Sequence, residues 1–395
     1  MNMTKDEALI QRPGSIDRRS FLRTGLTAAG LALAANADRR VFAQTVGRKI
    51  APVRVSRDRV IREIVGLRPY RPEGFLVEGQ LVGNKLLIHN YGHGGAGITL
   101  SWGTASQAVD IVREMPQVPP PRRAPRTVPR RFAVIGCGVN GLSTAIMLQR
   151  RYQDGPGTVT IYAKDLPPET TSNIAAGYWS PVSVFDDDAV SAKWREQFRA
   201  AAVISNRAYQ LLVGGQYGVR WLDIFTHHRN EASLQGELPG GNDLYPNRII
   251  HRDPANYFGV PIVRQFSSMM IEPPIYLRAL LRDFYNAGGR IVVKEFRSRE
   301  EVMRLSEPVI FNCSGLGARA LFGDEKLIPA RGQLEVLLPQ PEIDYGYIGP
   351  GHMFPRSDGI FLGGTFDREN WSLAVNPEHS NYILNTHTEM MKGVR

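Results

Sequence analysis

The sequence predicts an α/β fold with a parallel sheet at its centre, and three observations carry that prediction. A β-rich run, Phe132 to Ile135, leads directly into the loop Gly136-x-Gly138-x-x-Gly141. That loop opens an amphipathic helix with Leu142, Ala145 and Ile146 on one face. A second strand, Thr158 to Tyr162, follows at the spacing of a strand–turn–helix–strand unit.

Such a unit holds a dinucleotide. Gly136 and Gly138 allow a tight turn and close approach of the backbone to a pyrophosphate, which sits on the helix N-terminus at Val139, while Gly141 lets helix and strand pack closely. With 39 Gly in 395 residues, a GxGxxG arises by chance about 0.4 times, so context has to decide. A second match, Gly92-x-Gly94-x-x-Gly97, also follows a strand, Leu86 to His89, and precedes a helix. Proline-rich sequence comes next and no second strand follows. This loop reads as one that presents its N–H groups to a ligand without being a complete fingerprint. One detail departs from the pattern. The acid that normally closes the second strand and holds the ribose is replaced by Lys164, with Asp165 next to it. Either Asp165 acts from a shifted register or the ribose is held otherwise, and these residues alone leave FAD and NAD(P) both open.

The remaining elements account for the charge. The chain has 48 Lys and Arg against 38 Asp and Glu, a net +10, which invites a nucleic-acid or membrane-surface reading. Residues 1–43 hold seven basic against four acidic residues, and 113–131 hold six against one. The rest is close to neutral. In the first block, Asp17-Arg18-Arg19-Ser20-Phe21-Leu22-Arg23 precedes an apolar stretch, Leu26 to Ala35, about half the roughly 20 residues a membrane-spanning helix needs. This pattern reads as a twin-arginine signal and predicts an exported, periplasmic protein without a stable membrane anchor. The second block, Met115 to Arg131, is rich in Pro and Arg with no aromatic residue between the arginines. It reads as a solvated connector, extended at about 3.1 Å per residue. Nucleic acid is excluded as a partner.

Two cysteines, Cys137 and Cys313, in small Gly-flanked apolar settings read as buried, inert thiols. The eight His show no metal-ligand spacing, so no metal is expected. Asp186-Asp187-Asp188 reads as a solvated helix N-terminus.

Taken together, these segments resemble the D-amino-acid oxidase family. VIGCGVNGLSTA (134–145) is similar to its flavin loop, and Thr170 to Trp179 to the segment along the cofactor. FNCSG (311–315) and Arg331-Gly332-Gln333 look like later flavin-domain segments. FLGGTFDRENW (361–371) looks like a substrate-domain strand and turn. IVGLRPYRP (64–72) and IHNYGHGGAGITLSWG (88–103) are similar to the family's C-terminal signatures, yet here they stand first. The resemblance therefore implies a circular permutation, with the connector joining the old ends.

It further implies an FAD-binding Rossmann-like domain interleaved with an antiparallel-sheet substrate domain. Segments 132–177, 272–335 and the permuted 81–112 would bind FAD. Segments 178–271, 336–395 and the permuted 52–80 would form the substrate domain. FAD would rest on Gly136, Gly138, Val139, Gly141, Asp165, Thr170, Thr171, Ser172, Gly177 and Ser314, and on the second loop at Gly94, Gly95, Gly97, Ile98 and Thr99. Arg68 would take the substrate carboxylate in its planar fork. Backbone groups at Gly94 and Gly95 would meet the amine. The helix end at Ile98 and Thr99 would turn its positive pole to the flavin. His352 falls where the family usually has a tyrosine on the carboxylate, with a charge sensitive to its surroundings near neutral pH. Ile348 falls where a gating tyrosine usually stands, with Tyr347 one register away.

The implied activity is hydride transfer from Cα of a small α-amino acid, D-configured, to FAD, with oxygen or a quinone as acceptor. A homodimer is left open. Two other classes stay on the page: an NAD(P)-linked oxidoreductase, and an exported flavin-binding module without turnover.

Overall fold

The computed structural model describes residues 50–115, 131–152, 158–252 and 257–394. The signal at 1–43 and the connector core at 116–130 lie outside the described residues. Among the described residues, no helix is long and apolar enough to cross a membrane.

Two sheets organise these residues. The smaller has the order β2 (Leu76–Val82), β3 (Lys85–Tyr91), β10 (Val309–Asn312), β4 (Phe132–Ile135), β5 (Val159–Ala163) and β9 (Arg290–Val293). All neighbours are parallel except the β2–β3 hairpin. Every residue of β4 and β5 is buried, as a parallel sheet covered on both faces requires. The predicted strand–loop–helix–strand unit is β4, α2 (Val139–Arg151) and β5. The strand and helix around the second glycine loop are β3 and α1 (Gly97–Glu114). The parallel partner of β3 is β10, which lies between β3 and β4, and this is why no following strand is needed next to it in sequence. Helix α1 packs on α2 and on α4 (Ala192–Gln210), and α5 (Pro273–Asn286) packs on α2.

The larger sheet runs β1 (Val60–Tyr70), β11 (Ile328–Leu337), β14 (Gly359–Gly363), β13 (His352–Arg356), β12 (Tyr345–Ile348), β6 (Val219–His228), β8 (Ile262–Ile271) and β7 (Ile249–His251), with β15 (Asp367–Arg368) also paired to β11. It is antiparallel apart from β6–β12. Strand β1 carries Arg68 and pairs with β11 from Val60↔Leu337 to Tyr70↔Ile328. The short α3 (Thr171–Ile174), α6 (Arg299–Met303) and α7 (Gly317–Phe322) sit at connections, and α8 (Pro377–Met391) packs on β11 and β14.

Two expected boundaries differ. All of β2 hydrogen-bonds to β3, so the change from the large to the small sheet falls between Tyr70 and Leu76 and not at residue 80. Strand β11 pairs with β1 and β14, so residues 328–335, including Arg331-Gly332-Gln333, belong to the large sheet and not to a flavin-side segment. Arg331 is 2 % exposed and donates to Ser372 O and Ala374 O, and Gln333 donates to Ser380 Oγ on α8. Both side chains are occupied in holding that segment in place.

The ends of the described chain lie side by side. Val53 donates its N–H to Met391 Sδ at 3.2 Å, and Ile50 and Val53 share a buried cluster with Met391, against which the partly buried Val394 packs.

Candidate active site

A cavity of about 1150 Å³ lies where the carboxyl ends of the parallel strands meet the large sheet. Open α/β sheets place ligands at this end. The turns after β3, β4, β5, β9 and β10 all contribute to the wall, as do β1, β11 and β13.

The first glycine loop forms one side through Gly136, Gly138 and Val139. Gly136 has φ +106, and a Cβ there would lie 2.5 Å from Cys313 O, so only glycine fits. Val139 N–H is held by Ser172 Oγ at 3.0 Å, which ties the loop to the Thr170–Ser172 segment, also in the wall. Gly141 does not line the cavity. A Cβ there would overlap Gly136 O, so its part is close packing of helix on loop. Gly177 and Ser314 line the wall, and Ser314 Oγ donates to Asn312 Oδ1 at 2.6 Å. Asp165 lines it beyond β5, 3.7 Å from Lys164 in an exposed pair. The turn Lys294–Arg297 after β9 joins the wall beside them, with no sequence signature to announce it. The thiols of Cys137 and Cys313 are free and buried, and burial pushes both up to about 12, in keeping with inert roles.

The second loop lines the same cavity with Gly94, Gly95, Gly97, Ile98 and Thr99. Gly94 has φ +55, and a Cβ there would overlap Ser183 O. The N–H of Gly95 donates to that same oxygen at 2.9 Å, so it is not free to meet a ligand. Thr99 Oγ1 donates to Ser180 O at 3.2 Å, which occupies the hydroxyl but leaves the helix end in place. Neither α1 nor α2 has an acidic residue in its first turn, so both present their positive poles uncompensated. The two loops are joined by Asn140 Nδ2 and His93 Nδ1, 3.0 Å apart, with His93 Nε2 on Thr104 Oγ1 at 3.0 Å.

Arg68 enters from the large sheet. Its Nη1 is buried without a hydrogen-bond partner, and its Cζ stands 5.5 Å from the centre of the Phe366 ring. Burial pulls its pKa below the ordinary guanidinium value and Asp367 pulls it back, so the group stays cationic. Leaving such a group unpaired is costly, and a carboxylate in the cavity would relieve that cost.

His352 lines the cavity against the edge of Gly363. Burial, with His387 and Arg68 adding to it, lowers its pKa to about 3. The expected sensitivity near neutral pH is therefore corrected: the imidazole is neutral there. Ile348 lines the cavity, whereas Tyr347 faces the opposite side of the sheet, donates to His387 Nδ1 and stacks near His227. Successive strand residues point to opposite faces, so Tyr347 cannot substitute from one register away. The aromatic wall comes instead from Tyr178, stacked on Phe354 at 4.8 Å, and from Phe366. Tyr178 lies within the Thr170–Trp179 segment, and that position was its only signal in the sequence.

Asp186 is also corrected. Helix α4 begins at Ser191, which caps it, and Asp186 instead accepts from Tyr70 Oη at 2.6 Å and from Arg368 at 2.5 and 2.8 Å.

The family described as FAD dependent oxidoreductase matches residues 9–111 and 131–395. The chain belongs to that family. Among its relatives, D-amino acid oxidase of Dugesia ryukyuensis is 30% identical over 272 residues, covering 67% of this chain and 78% of the relative. D-aspartate oxidase of Homo sapiens is 30% identical over 259 residues, covering 64% and 74%. A solved glycine oxidase from Bacillus cereus aligns at TM-score 0.48 and 16% identity, covering 66% of this chain and 77% of that one.

The residues present fit the FAD of this FAD-dependent oxidoreductase family. Gly136 keeps the loop open, two helix poles are unopposed by acids, and the volume exceeds the ~300–1,000 Å³ of pockets for drug-sized ligands. That leaves room for a dinucleotide and a small substrate together.

Proposed function

We propose that this FAD-dependent oxidoreductase oxidises a small α-amino acid of D configuration. In the reaction the Cα–H leaves as hydride and an amine N–H as a proton, and the C=N bond of an imino acid forms. Water then gives the 2-oxo acid and ammonia. FAD, when bound, supplies the hydride acceptor and passes two electrons to oxygen or a quinone.

The observation that carries the reading is the buried, unpartnered Nη1 of Arg68 in the wall of the cavity that the two glycine loops also line. A planar fork suits a carboxylate and stays charged when desolvated. His352, neutral, adds a polar contact without a second charge. Ile348, Phe354 and Phe366 keep the neighbouring wall apolar and exclude water. The pole of α1 favours negative charge developing beside Gly97–Thr99. The names of the relatives support the amino-acid class and the D configuration.

The test is anaerobic mixing of the purified flavoprotein with D- and L-amino acids while flavin absorbance is followed. Bleaching by D-amino acids is expected. Bleaching only by L-amino acids, or by none, overturns the reading.

We propose further that the chain order is a circular permutation of the family's and that residues 1–43 direct twin-arginine export to the periplasm. The position of β3 beyond β10 and the Val53–Met391 contact support the first. Its test is a rearranged chain in which residues 50–115 follow residue 394, expected to fold and bind FAD. The Arg18-Arg19 pair and the short apolar stretch support the second. Loss of export on replacing both arginines with lysine is expected, and unchanged export overturns it.

A further inference from the structure

Three cavity-lining segments converge on one carboxylate that does not itself line the cavity. Strand β1 brings Arg68 to the wall, the loop after Ser180 brings Val182 and Ser183, and the turn between β14 and β15 brings Phe366. Two residues beyond Arg68 on the same face of β1, Tyr70 donates to Asp186 Oδ1 at 2.6 Å. Two residues beyond Phe366, Arg368 donates to both Asp186 oxygens and to Tyr70 Oη at 3.2 Å. The Tyr70 ring meets Phe366 edge-on at 5.7 Å, and the Arg368 guanidinium lies 4.7 Å from the Tyr70 ring centre. Asp186 is bonded to both sides, which also meet directly through Arg368 and Tyr70 Oη, and its N–H adds a third tie, to Pro72 O at 2.8 Å.

The loop it holds is under strain. Ser183 has φ +56, unfavourable for a residue with a Cβ, while its carbonyl accepts the Gly95 N–H. A loop in that conformation relaxes unless both flanks are fixed. Asp186, three residues on, fixes one of them.

We propose that Asp186 is a positioning residue for the substrate end of the site: through Tyr70 and Arg368 it locks the Val182–Ser183 wall, Phe366 and the Arg68 strand into one rigid rim. The proposal rests on the amino-acid oxidase reading for its kinetic arm only. Its binding arm uses propionate, a monocarboxylate without an amine, and needs no turnover.

Asp186→Ala, Asp186→Asn and Arg368→Met are compared with the native holoenzyme. The dissociation constant of propionate is read from the flavin difference spectrum, KM and kcat from the best D-amino acid, and FAD affinity from flavin fluorescence. Expected are a tenfold or greater rise in propionate dissociation constant and in KM, a kcat within about threefold, and FAD affinity within twofold. Because the Asp186–Arg368 pair is part-exposed (28 and 46 %), raising KCl weakens propionate binding more in the native protein than in Asp186→Asn. Propionate affinity within threefold of native in all variants overturns the proposal. So does a parallel loss of FAD affinity, which marks general loosening. Should Asp186→Ala not fold, Arg368→Met, at the exposed side of the pair, decides alone. If no amino acid bleaches the flavin while propionate binding falls as expected, the oxidase reading fails and the rim stands.

Discussion

Asn140 Nδ2 donates to His93 Nδ1 at 3.0 Å, linking the two glycine loops 47 residues apart in sequence. Burial holds His93 near pKa 3, and Nε2–H is left to bond Thr104 Oγ1. The loop that opens α2 and the loop that opens α1 are thus set against each other by one neutral imidazole.

Asn140→Ala leaves the fully buried Nδ1 of His93 without a donor. The expected cost is about 1–3 kcal/mol of stability, together with weaker FAD binding, since Asn140 lines the cavity. Urea unfolding and flavin release measure the two. An unchanged unfolding midpoint would remove the linkage from the account.

Arg68→Ala removes the proposed carboxylate partner. A loss of roughly 2–5 kcal/mol in kcat/KM is expected for a buried charge pair, with FAD still bound. Arg68→Lys recovers only part, because an ammonium lacks the planar fork. Steady-state kinetics with any amino acid that bleaches the flavin checks both.

The buried histidines make the protein acid-sensitive. Burial lowers His89 and His387 to about 4 and His93 to about 3, whereas an unfolded His titrates near 6.5. Between these values the unfolded chain binds more protons, so stability present above pH 6.5 is lost as pH falls toward 4. These three at about 1.4 kcal/mol per unit each give a slope of about 4 kcal/mol per pH unit near pH 5, and His227 and His352, lowered by burial in the same way, add to it. Urea midpoints at pH 7, 6 and 5 test this; equal midpoints would show these histidines protonated in the folded state.

His352, held near 3 by burial, contributes no ionisation to catalysis at neutral pH. A plot of log kcat/KM between pH 5.5 and 7.5 should lack a step from this residue. A step near pH 6.5 that disappears in His352→Gln would show the imidazole titrating there.

The glycine loops were legible because their signal is local, a strand, a tight turn and a helix within some 20 residues, whereas Arg68 was singled out only through the family resemblance of residues 64–72. The same logic failed where contacts span the chain. Asp186 looked like a solvated helix start because its partners, Tyr70 and Arg368, lie 116 and 182 residues away. Arg331-Gly332-Gln333 read as a flavin-domain segment because nothing nearby in sequence reveals α8, which Gln333 bonds. Tyr347 was offered as a substitute for Ile348 because their register was unknown, and the alternation of a strand decides it. The Lys294–Arg297 turn follows a four-residue strand, too short to carry a pattern.

The pairing of β1 with β11 sets the order in which the molecule can be completed. Val60 meets Leu337 and Tyr70 meets Ile328, so β1 waits for a strand made more than 250 residues later. Until then β1 exposes unmet backbone groups and Arg68 has no pocket. Folding dominated by such distant pairings is slow. A nascent chain of this protein therefore has no closed site until β11 has been made, and β1 depends on shielding from other chains until then.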